Sequence, residues 1–315
     1  MSSMPVIFLT GPTAVGKTKL AISLTEKLEV DLINVDAVQV YRGLDIGTGK
    51  PRSEILDQYP HELVDIREPS DIFSAGEFCR ESVRSIQKIH QEKKIPLLVG
   101  GTMFYFDALT NGLGRNVDVD QRFRLKIQSE AELVGWDTMH KRLNDLAPEI
   151  AIKIHPNDRQ RIQRGLEVCR DSRNSTSSFD NGSMLEIPIE NQIIRLGLAL
   201  ADRSRLHARI EQRVDKMLEA GLVAEVQNLL AKGFDPELPS LRSLGYRQVC
   251  QYLKGELDYD SMRTRMIVAT RQFAKRQYTW MRNTPNTVWF NGDDKQVSRN
   301  VVRYLLLALT LKQKL

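Results

Sequence analysis

The sequence predicts an α/β fold: a parallel sheet flanked on both sides by helices and interrupted by an all-helical insertion. Three observations carry that expectation. A short apolar run, a glycine loop and an amphipathic run follow one another directly near the N-terminus. Over residues 5–115, short and nearly continuous apolar runs alternate with longer helix-patterned ones, as in strands buried on both faces with helices packed between them. That alternation stops near Asn116 and resumes near Asn191, with only helical patterns in between.

The first strand is Val6–Thr10, and the loop after it reads Gly11-Pro12-Thr13-Ala14-Val15-Gly16-Lys17-Thr18. This is the G-x-x-x-x-G-K-[ST] phosphate loop in its strand–loop–helix setting, so the core is expected to be P-loop NTPase-like. Gly11 and Gly16 permit backbone paths that a side chain would block. Successive N–H groups can then face an anion at a helix N-terminus. Lys17 adds a mobile positive charge, and the Thr18 hydroxyl is a hard oxygen suited to Mg²⁺. The loop suits ATP, another nucleotide or a different diphosphate equally well. Helical patterns follow at Lys17–Leu28, Ala75–Glu92 and Met103–Asn111, and further strands are expected at Asp31–Val35, Leu63–Ile66 and Pro96–Val99.

The second strand ends in Asp36. Ligands of parallel α/β sheets lie beyond the carboxyl ends of the strands, so topology brings Asp36 beside the phosphate loop. It could support a bound Mg²⁺, act as a general base, or simply cap a turn. The fourth strand ends in Gly100-Gly101-Thr102 rather than in the metal-holding Asp of many phosphate-loop ATPases. That argues against a motor or a switch ATPase.

The insertion, taken as 117–191, carries helical runs at Val119–Leu133, Asp137–Leu146, Glu149–Ile154 and Asp158–Arg170, then a Ser/Asn-rich stretch over 172–182 expected to be a loop. The core, 1–116 and 192–315, resumes with a strand at Gln192–Leu200 and one helix over Arg203–Leu230. Arg205, Arg209 and Arg213 recur on one face of that helix, which is either solvated or turned to phosphate. Arg263–Arg282 holds many cations, interleaved aromatics and no acid, and its pattern puts Arg271, Lys275 and Arg282 on a common face. Cations suit phosphates and rings suit unstacked bases, so this segment is expected to meet nucleic acid. A strand at Val288–Phe290 and a helix from Val297 close the chain.

Composition excludes other classes. Hydrophobic residues make up 41% and charged residues 27% of 315, an ordinary globular balance. No apolar run reaches the roughly 20 residues of a membrane span: the longest, Val301–Leu311, contains Arg303. The N-terminus leads straight into the first strand, leaving no room for a signal peptide, so the expected compartment is the cytoplasm, with no membrane partner and a monomeric state. Cys79, Cys169 and Cys250 are scattered, as are the five histidines, and suggest neither a disulfide frame nor a zinc site. The net charge of +5 is mild and concentrated late in the chain.

A small-molecule kinase would need the phosphate cradle and a carboxylate but no long basic helix. A nucleotide-switched RNA binder would need the helix but no base. Together these features resemble the bacterial tRNA dimethylallyltransferases (tRNA isopentenyltransferases). The resemblance rests on the phosphate loop, on Asp36-Ala-Val-Gln-Val-Tyr-Arg-Gly-Leu-Asp-Ile-Gly-Thr-Gly-Lys-Pro51, on Leu97-Leu-Val-Gly-Gly-Thr-Met103, on His155-Pro-Asn-Asp158, on Leu241-Arg-Ser-Leu-Gly-Tyr-Arg-Gln248 and on Ala269-Thr-Arg-Gln-Phe-Ala-Lys-Arg-Gln-Tyr-Thr-Trp280. It implies transfer of the dimethylallyl group of dimethylallyl diphosphate to N6 of the adenosine just 3′ of the anticodon, position 37 of the tRNA, with Mg²⁺ as cofactor. The phosphate loop, with Arg213, would hold the diphosphate, and Thr18 the metal. Asp36 would be the general base, and Thr102 and Arg124 would lie near the reacting nucleotide. The anticodon stem-loop would meet four stretches, with the insertion closing over it. These are Asp36-Ala37-Val38-Gln39, Gln160-Arg161-Ile162-Gln163-Arg164, Arg242-Ser243-Leu244-Gly245-Tyr246-Arg247, and Lys275-Arg276-Gln277-Tyr278-Thr279-Trp280-Met281-Arg282. Ala37 and Gly49 stand where the family commonly has Ser and Ala.

Overall fold

The computed structural model describes residues 5–113, 121–174 and 193–312. The chain forms two compact units, Met1–Asn111 with Ile187–Leu315, and Gly112–Glu186. The edges expected from sequence, 116/117 and 191/192, fall outside the described residues.

The first unit opens with β1 (Val6–Thr10), every residue of which is buried, and α1 (Lys17–Thr25). There follow β2 (Val30–Val35), α2 (Ser53–Gln58), β3 (His61–Glu62), α3 (Ala75–Gln91), β4 (Ile95–Gly100) and α4 (Met103–Asn111). After the second unit come β5 (Ile193–Ala199), α9 (Arg203–Glu219), α10 (Leu222–Ala231), α11 (Tyr246–Leu253), α12 (Tyr259–Arg282), β6 (Thr287–Asn291) and α13 (Val297–Lys312). All six strands are parallel, in the order β3-β2-β4-β1-β5-β6. Val/Ile/Leu fill β1, β2, β4 and β5 without polar alternation, because helices cover both faces. On one face Ile7, Leu9, Leu32, Leu97 and Leu196 pack with α1, α9 and α13. On the other, Phe8 meets Phe106 at 4.9 Å between ring centroids, and Phe78 stacks on Tyr105 at 4.4 Å.

Three expectations change. The strand expected at Leu63–Ile66 is a two-residue strand one step earlier, because Leu63 and Asp65 turn to positive φ and carry the chain out of the sheet. The single helix expected over Arg203–Leu230 is two, broken at Gly221 with φ 98°. Helix α2, lacking buried residues, gave no periodic signal.

The second unit is helical as far as it is described: α5 (Gln121–Val134), α6 (Trp136–Leu146), α7 (Pro148–Ala151) and α8 (Arg159–Asn174). Ile127, Met139, Leu143, Ile162 and Leu166 form its own core. The stretch 172–182 begins inside α8, and its remainder lies outside the described residues. No helix among the described residues is long and apolar enough to cross a membrane.

Candidate active site

Register sets the site. Thr10 of β1 and Val35 of β2 both lie level with Gly100 of β4, so the phosphate loop, Asp36 and Gly101 leave the sheet at one height. A Cβ on Gly100 would sit 2.0 Å from the Val35 carbonyl, which is why two strands can converge so closely there. The loop turns through positive φ at Ala14 (65°) and Gly16 (103°). Helix α1 then starts at Gly16 with no side-chain cap, whereas α3, α9 and α12 are capped by Ser74, Asp202 and Asp258. Its first-turn amides and dipole therefore face the cavity rather than a side chain.

Lys17 curls back so that Nζ donates to the carbonyls of Gly11 (2.8 Å) and Pro12 (2.9 Å). Burial, reinforced by the nearby Arg213 cation and partly offset by Asp36, lowers its pKa to about 8. Arg213 donates from Nη2 to the Thr48 carbonyl at 2.8 Å; burial pulls its pKa down too, against the pull of Asp36. Thr18 is exposed on the wall of the same polar cavity, which has a volume of about 940 Å³.

Of the three sequence readings of Asp36, the structure shows the turn cap directly. Its Oδ1 accepts from the N–H groups of Val38 (2.8 Å) and Gln39 (3.2 Å), so it does cap a turn. The same carboxylate acts electrostatically on both Lys17 and Arg213. The Thr102 hydroxyl accepts from the Ala37 N–H at 3.2 Å and fixes that turn against β4. A second cavity, about 450 Å³ and mostly apolar, lies beside the first. Asp36, Thr13, Thr48, Gly101, Arg213 and Gln277 belong to the walls of both. Phe104 and Trp280, 49% and 40% exposed, meet edge to face at 6.4 Å on the apolar cavity's outer wall.

The Asp45–Pro51 stretch is held from outside by residues that carry no motif. One Glu225 carboxylate accepts from the N–H groups of Asp45 (3.1 Å), Ile46 (2.8 Å) and Gly47 (3.3 Å), and from the Tyr246 hydroxyl (2.6 Å). A Cβ on Gly47 would fall 2.4 Å from the Tyr246 ring. Lys50, with a side chain 2% exposed, donates to the Tyr41 carbonyl and pairs with Asp45 and Asp65. Gly49, at φ 65°, lies where a Cβ would strike the Arg213 guanidinium at 2.2 Å. On the far side of the phosphate loop, Arg209 joins the Val15 carbonyl to Asp293, which also pairs with Arg205. Sequence windows could not reveal Glu225 or Asp293, since Glu225 meets the Ile46 amide 179 residues away in the chain and Asp293 meets Arg209 84 residues away.

The residues expected to meet RNA divide by exposure. Arg242, Arg247, Lys275, Arg276, Thr279, Trp280 and Arg282 are exposed, and Ser243, Leu244 and Tyr278 half-buried. Gly245, Tyr246, Gln277 and Met281 are buried: Tyr246 serves the Glu225 clamp, and Met281 the core. Arg276 and Arg282 lie over the rings of Phe273 and Tyr278. Arg271 lies on an unbroken helix with Lys275 and Arg282 but is engaged within the protein: it and Arg263 pair with Glu211 of α9, and Arg263 also with Asp215 of α9. Those acids are why the segment needs none of its own. In the second unit, Gln160 and Arg161 are exposed, Gln163 and Arg164 half-buried, and Ile162 is in the core. Glu167, 4% exposed, accepts from Arg124 Nε at 2.9 Å and from Arg164 at 3.2 Å. Hydrogen bonds from these two arginines offset the burial of Glu167 and hold its pKa below the usual carboxylate range.

A parallel sheet with a glycine loop at the end of its central strand defines the phosphate-loop α/β class. Within it, the chain belongs to the IPP transferase family, whose model matches residues 39–284. The match begins just after Asp36, but curated relatives align with nearly the whole chain. The tRNA dimethylallyltransferase of Coxiella burnetii (strain RSA 493 / Nine Mile phase I) is 46% identical over 301 residues, covering 95% of this chain and 96% of its own. The tRNA dimethylallyltransferase 2 of Hahella chejuensis is 44% identical over 314 residues, covering 96% and 95%. The solved tRNA isopentenylpyrophosphate transferase of Bacillus halodurans superposes with a TM-score of 0.73 at 32% identity over 99% of both chains. A eukaryotic dimethylallyltransferase acting on tRNA gives 0.76 at 27% identity, covering 96% of this chain and 78% of that one.

Proposed function

We propose that this chain transfers the dimethylallyl group of dimethylallyl diphosphate to N6 of adenosine 37 in tRNA, releasing diphosphate. The observation that carries the reading is the position of Asp36 on the wall common to a cationic, phosphate-loop cavity and an apolar one. The first suits a diphosphate, while the second suits an isoprenoid tail and a flat base. The two would have to meet beside a carboxylate for the transfer to occur.

The bond to break joins the allylic carbon to the diphosphate oxygen, and its electron pair leaves with the diphosphate. Lys17, Arg213 and the amides of the loop and first turn of α1 would stabilise that growing charge, by groups already fixed in place. The Thr18 hydroxyl, a hard oxygen on the same polar wall, fits Mg²⁺, which takes most of its other ligands from water and substrate phosphates. Among the described residues no cluster of His, Cys, Asp and Glu offers a rival metal site. When bound there, Mg²⁺ would add further charge stabilisation to the leaving diphosphate.

The adenine amine is a poor nucleophile because its lone pair is delocalised into the ring. As its nitrogen bonds to the allylic carbon it must shed a proton, and Asp36 would accept it. Two backbone hydrogen bonds hold Asp36 Oδ1, which keeps the carboxylate oriented. A stacked base cannot reach this depth, so the nucleotide must leave the anticodon loop. Phe104 and Trp280 offer it ring faces, and Lys275, Arg276 and Arg282 offer cations to the backbone.

The test is to supply purified protein with unmodified tRNA, Mg²⁺ and dimethylallyl diphosphate and to analyse the nucleosides by mass spectrometry. The expected product is N6-dimethylallyladenosine, and no such product refutes the proposal. Asp36→Ala should keep tRNA binding and lower transfer by at least ~100-fold, the scale for losing a general base. Unchanged transfer would remove Asp36 from that role.

A further inference from the structure

Gln277 lies in the most cationic stretch of α12, yet it is 4% exposed. Its neighbours Lys275, Arg276, Thr279 and Trp280 are all exposed. The Gln277 side chain points the other way, into the wall between the two cavities. There its Oε1 accepts from the Thr13 N–H at 2.9 Å, and its Nε2 donates to the Gly101 carbonyl at 2.8 Å. The two ends of one amide thus tie the phosphate loop, at the end of β1, to the end of β4. A side-chain amide donates and accepts side by side, and it carries no charge at any ordinary pH. The fit is close: a Cβ on Gly101 would lie 2.3 Å from Nε2, so the second glycine of Gly100-Gly101 makes room for this side chain.

We propose that Gln277 is a positioning residue for the phosphate loop rather than an RNA contact. By holding the Thr13 N–H it fixes the start of the turn that takes Ala14 and Gly16 through positive φ, and so the direction of the amides that follow. The helix whose outer face carries the cations thereby braces the diphosphate site with its inner face. The inference rests on the proposed reading of the loop as a diphosphate holder.

The experiment uses inorganic pyrophosphate with Mg²⁺ as the probe, measured by calorimetry, beside tRNA affinity and steady-state transfer. Gln277→Met keeps the length and apolar volume and loses both hydrogen bonds. Two such bonds correspond to about ten-fold or more in affinity. The expected result is a loss of that size in pyrophosphate affinity and a matching rise in KM for the prenyl diphosphate, with tRNA affinity unchanged. Gln277→Glu adds a readout that a mere packing role would not move. Protonated, it can still accept from Thr13 and donate to Gly101; ionised, it faces the Gly101 carbonyl with negative charge. Its pyrophosphate affinity relative to the unaltered chain should therefore recover as pH falls. Unchanged pyrophosphate affinity in Gln277→Met, a loss confined to tRNA affinity, or a pH-independent Gln277→Glu ratio would each overturn the proposal. If the unaltered chain binds no pyrophosphate, the reading of the loop falls first and this proposal with it.

Discussion

Two glycine-bearing loops sit side by side in the first unit, and both turn consecutive backbone amides inward. At Asp45–Gly47 those amides meet the Glu225 carboxylate, supplied by the protein itself. At the phosphate loop no side chain caps the start of α1, and the cations of Lys17 and Arg213 stand in the same cavity wall, with the Asp36 carboxylate acting on both. The same backbone device therefore builds an internal joint in one place and, in the function proposed above, an anion-binding surface in the other. A glycine pattern alone does not distinguish them. What does is whether a carboxylate from elsewhere in the fold fills the turn. The two are also linked: the Thr48 carbonyl, carried by the clamped loop, holds Arg213 beside Lys17.

The sharpest way to break the comparison is to remove the cation from the ligand-facing loop. Lys17→Ala should lower single-turnover transfer by about 100- to 1,000-fold, the range for deleting one preorganised electrostatic donor, while thermal stability holds or rises. Removing the anion from the clamped loop should do the reverse. Glu225→Ala strands three backbone donors and the Tyr246 hydroxyl, for an expected loss of about 2–4 kcal/mol in denaturant unfolding, with transfer lowered only as far as Arg213 loses its anchor. A third test uses pH. Lys17 has a pKa of about 8 because of its burial and Arg213. An anion bound beside it favours the charged form and raises that value. Below about 8 the lysine is already protonated. Above it, binding must take up a proton, so pyrophosphate affinity should fall with rising pH more steeply than in Lys17→Arg, which stays charged. Calorimetry in buffers of different ionisation enthalpy would read the proton directly. The smallest effect is expected for Tyr246→Phe, which leaves Glu225 its three amides and should cost about 1 kcal/mol. A loss as large as that of Glu225→Ala would mean that the tyrosine, not the carboxylate, holds the loop.

The phosphate loop was legible in sequence because all its determinants are local: a strand, two glycines at fixed spacing and a helix. The sheet was legible for a similar reason, since strands buried on both faces announce themselves as apolar runs. Leu63–Ile66 misled because apolar residues there pack without strand geometry. The Gly221 break hid inside an unbroken helical pattern, since glycine interrupts the backbone and not the periodicity. The partners of Arg263 and Arg271 lie on α9, some 50 to 60 residues away in sequence, so a window that saw no acid read them as exposed cations. Gln277 shows the same limit from the other side. The helical period of Met266, Thr270, Ala274, Gln277 and Met281 puts it on the buried face of α12, but its chemistry depends on Thr13 and Gly101, far away in the chain.

The placement of β1 between β4 and β5 bears on how the chain can be made. Residues 6–10 find one partner strand at 95–100 and the other at 193–199. While a ribosome is still elongating the second unit, one edge of β1 can already be paired and the other cannot. An apolar parallel edge is then presented until β5 emerges, and exposed edges template association with other chains. Nascent chains stalled between residues 112 and 186 should thus be the most aggregation-prone, and slow closure of β5 onto β1 should set the folding rate of the first unit.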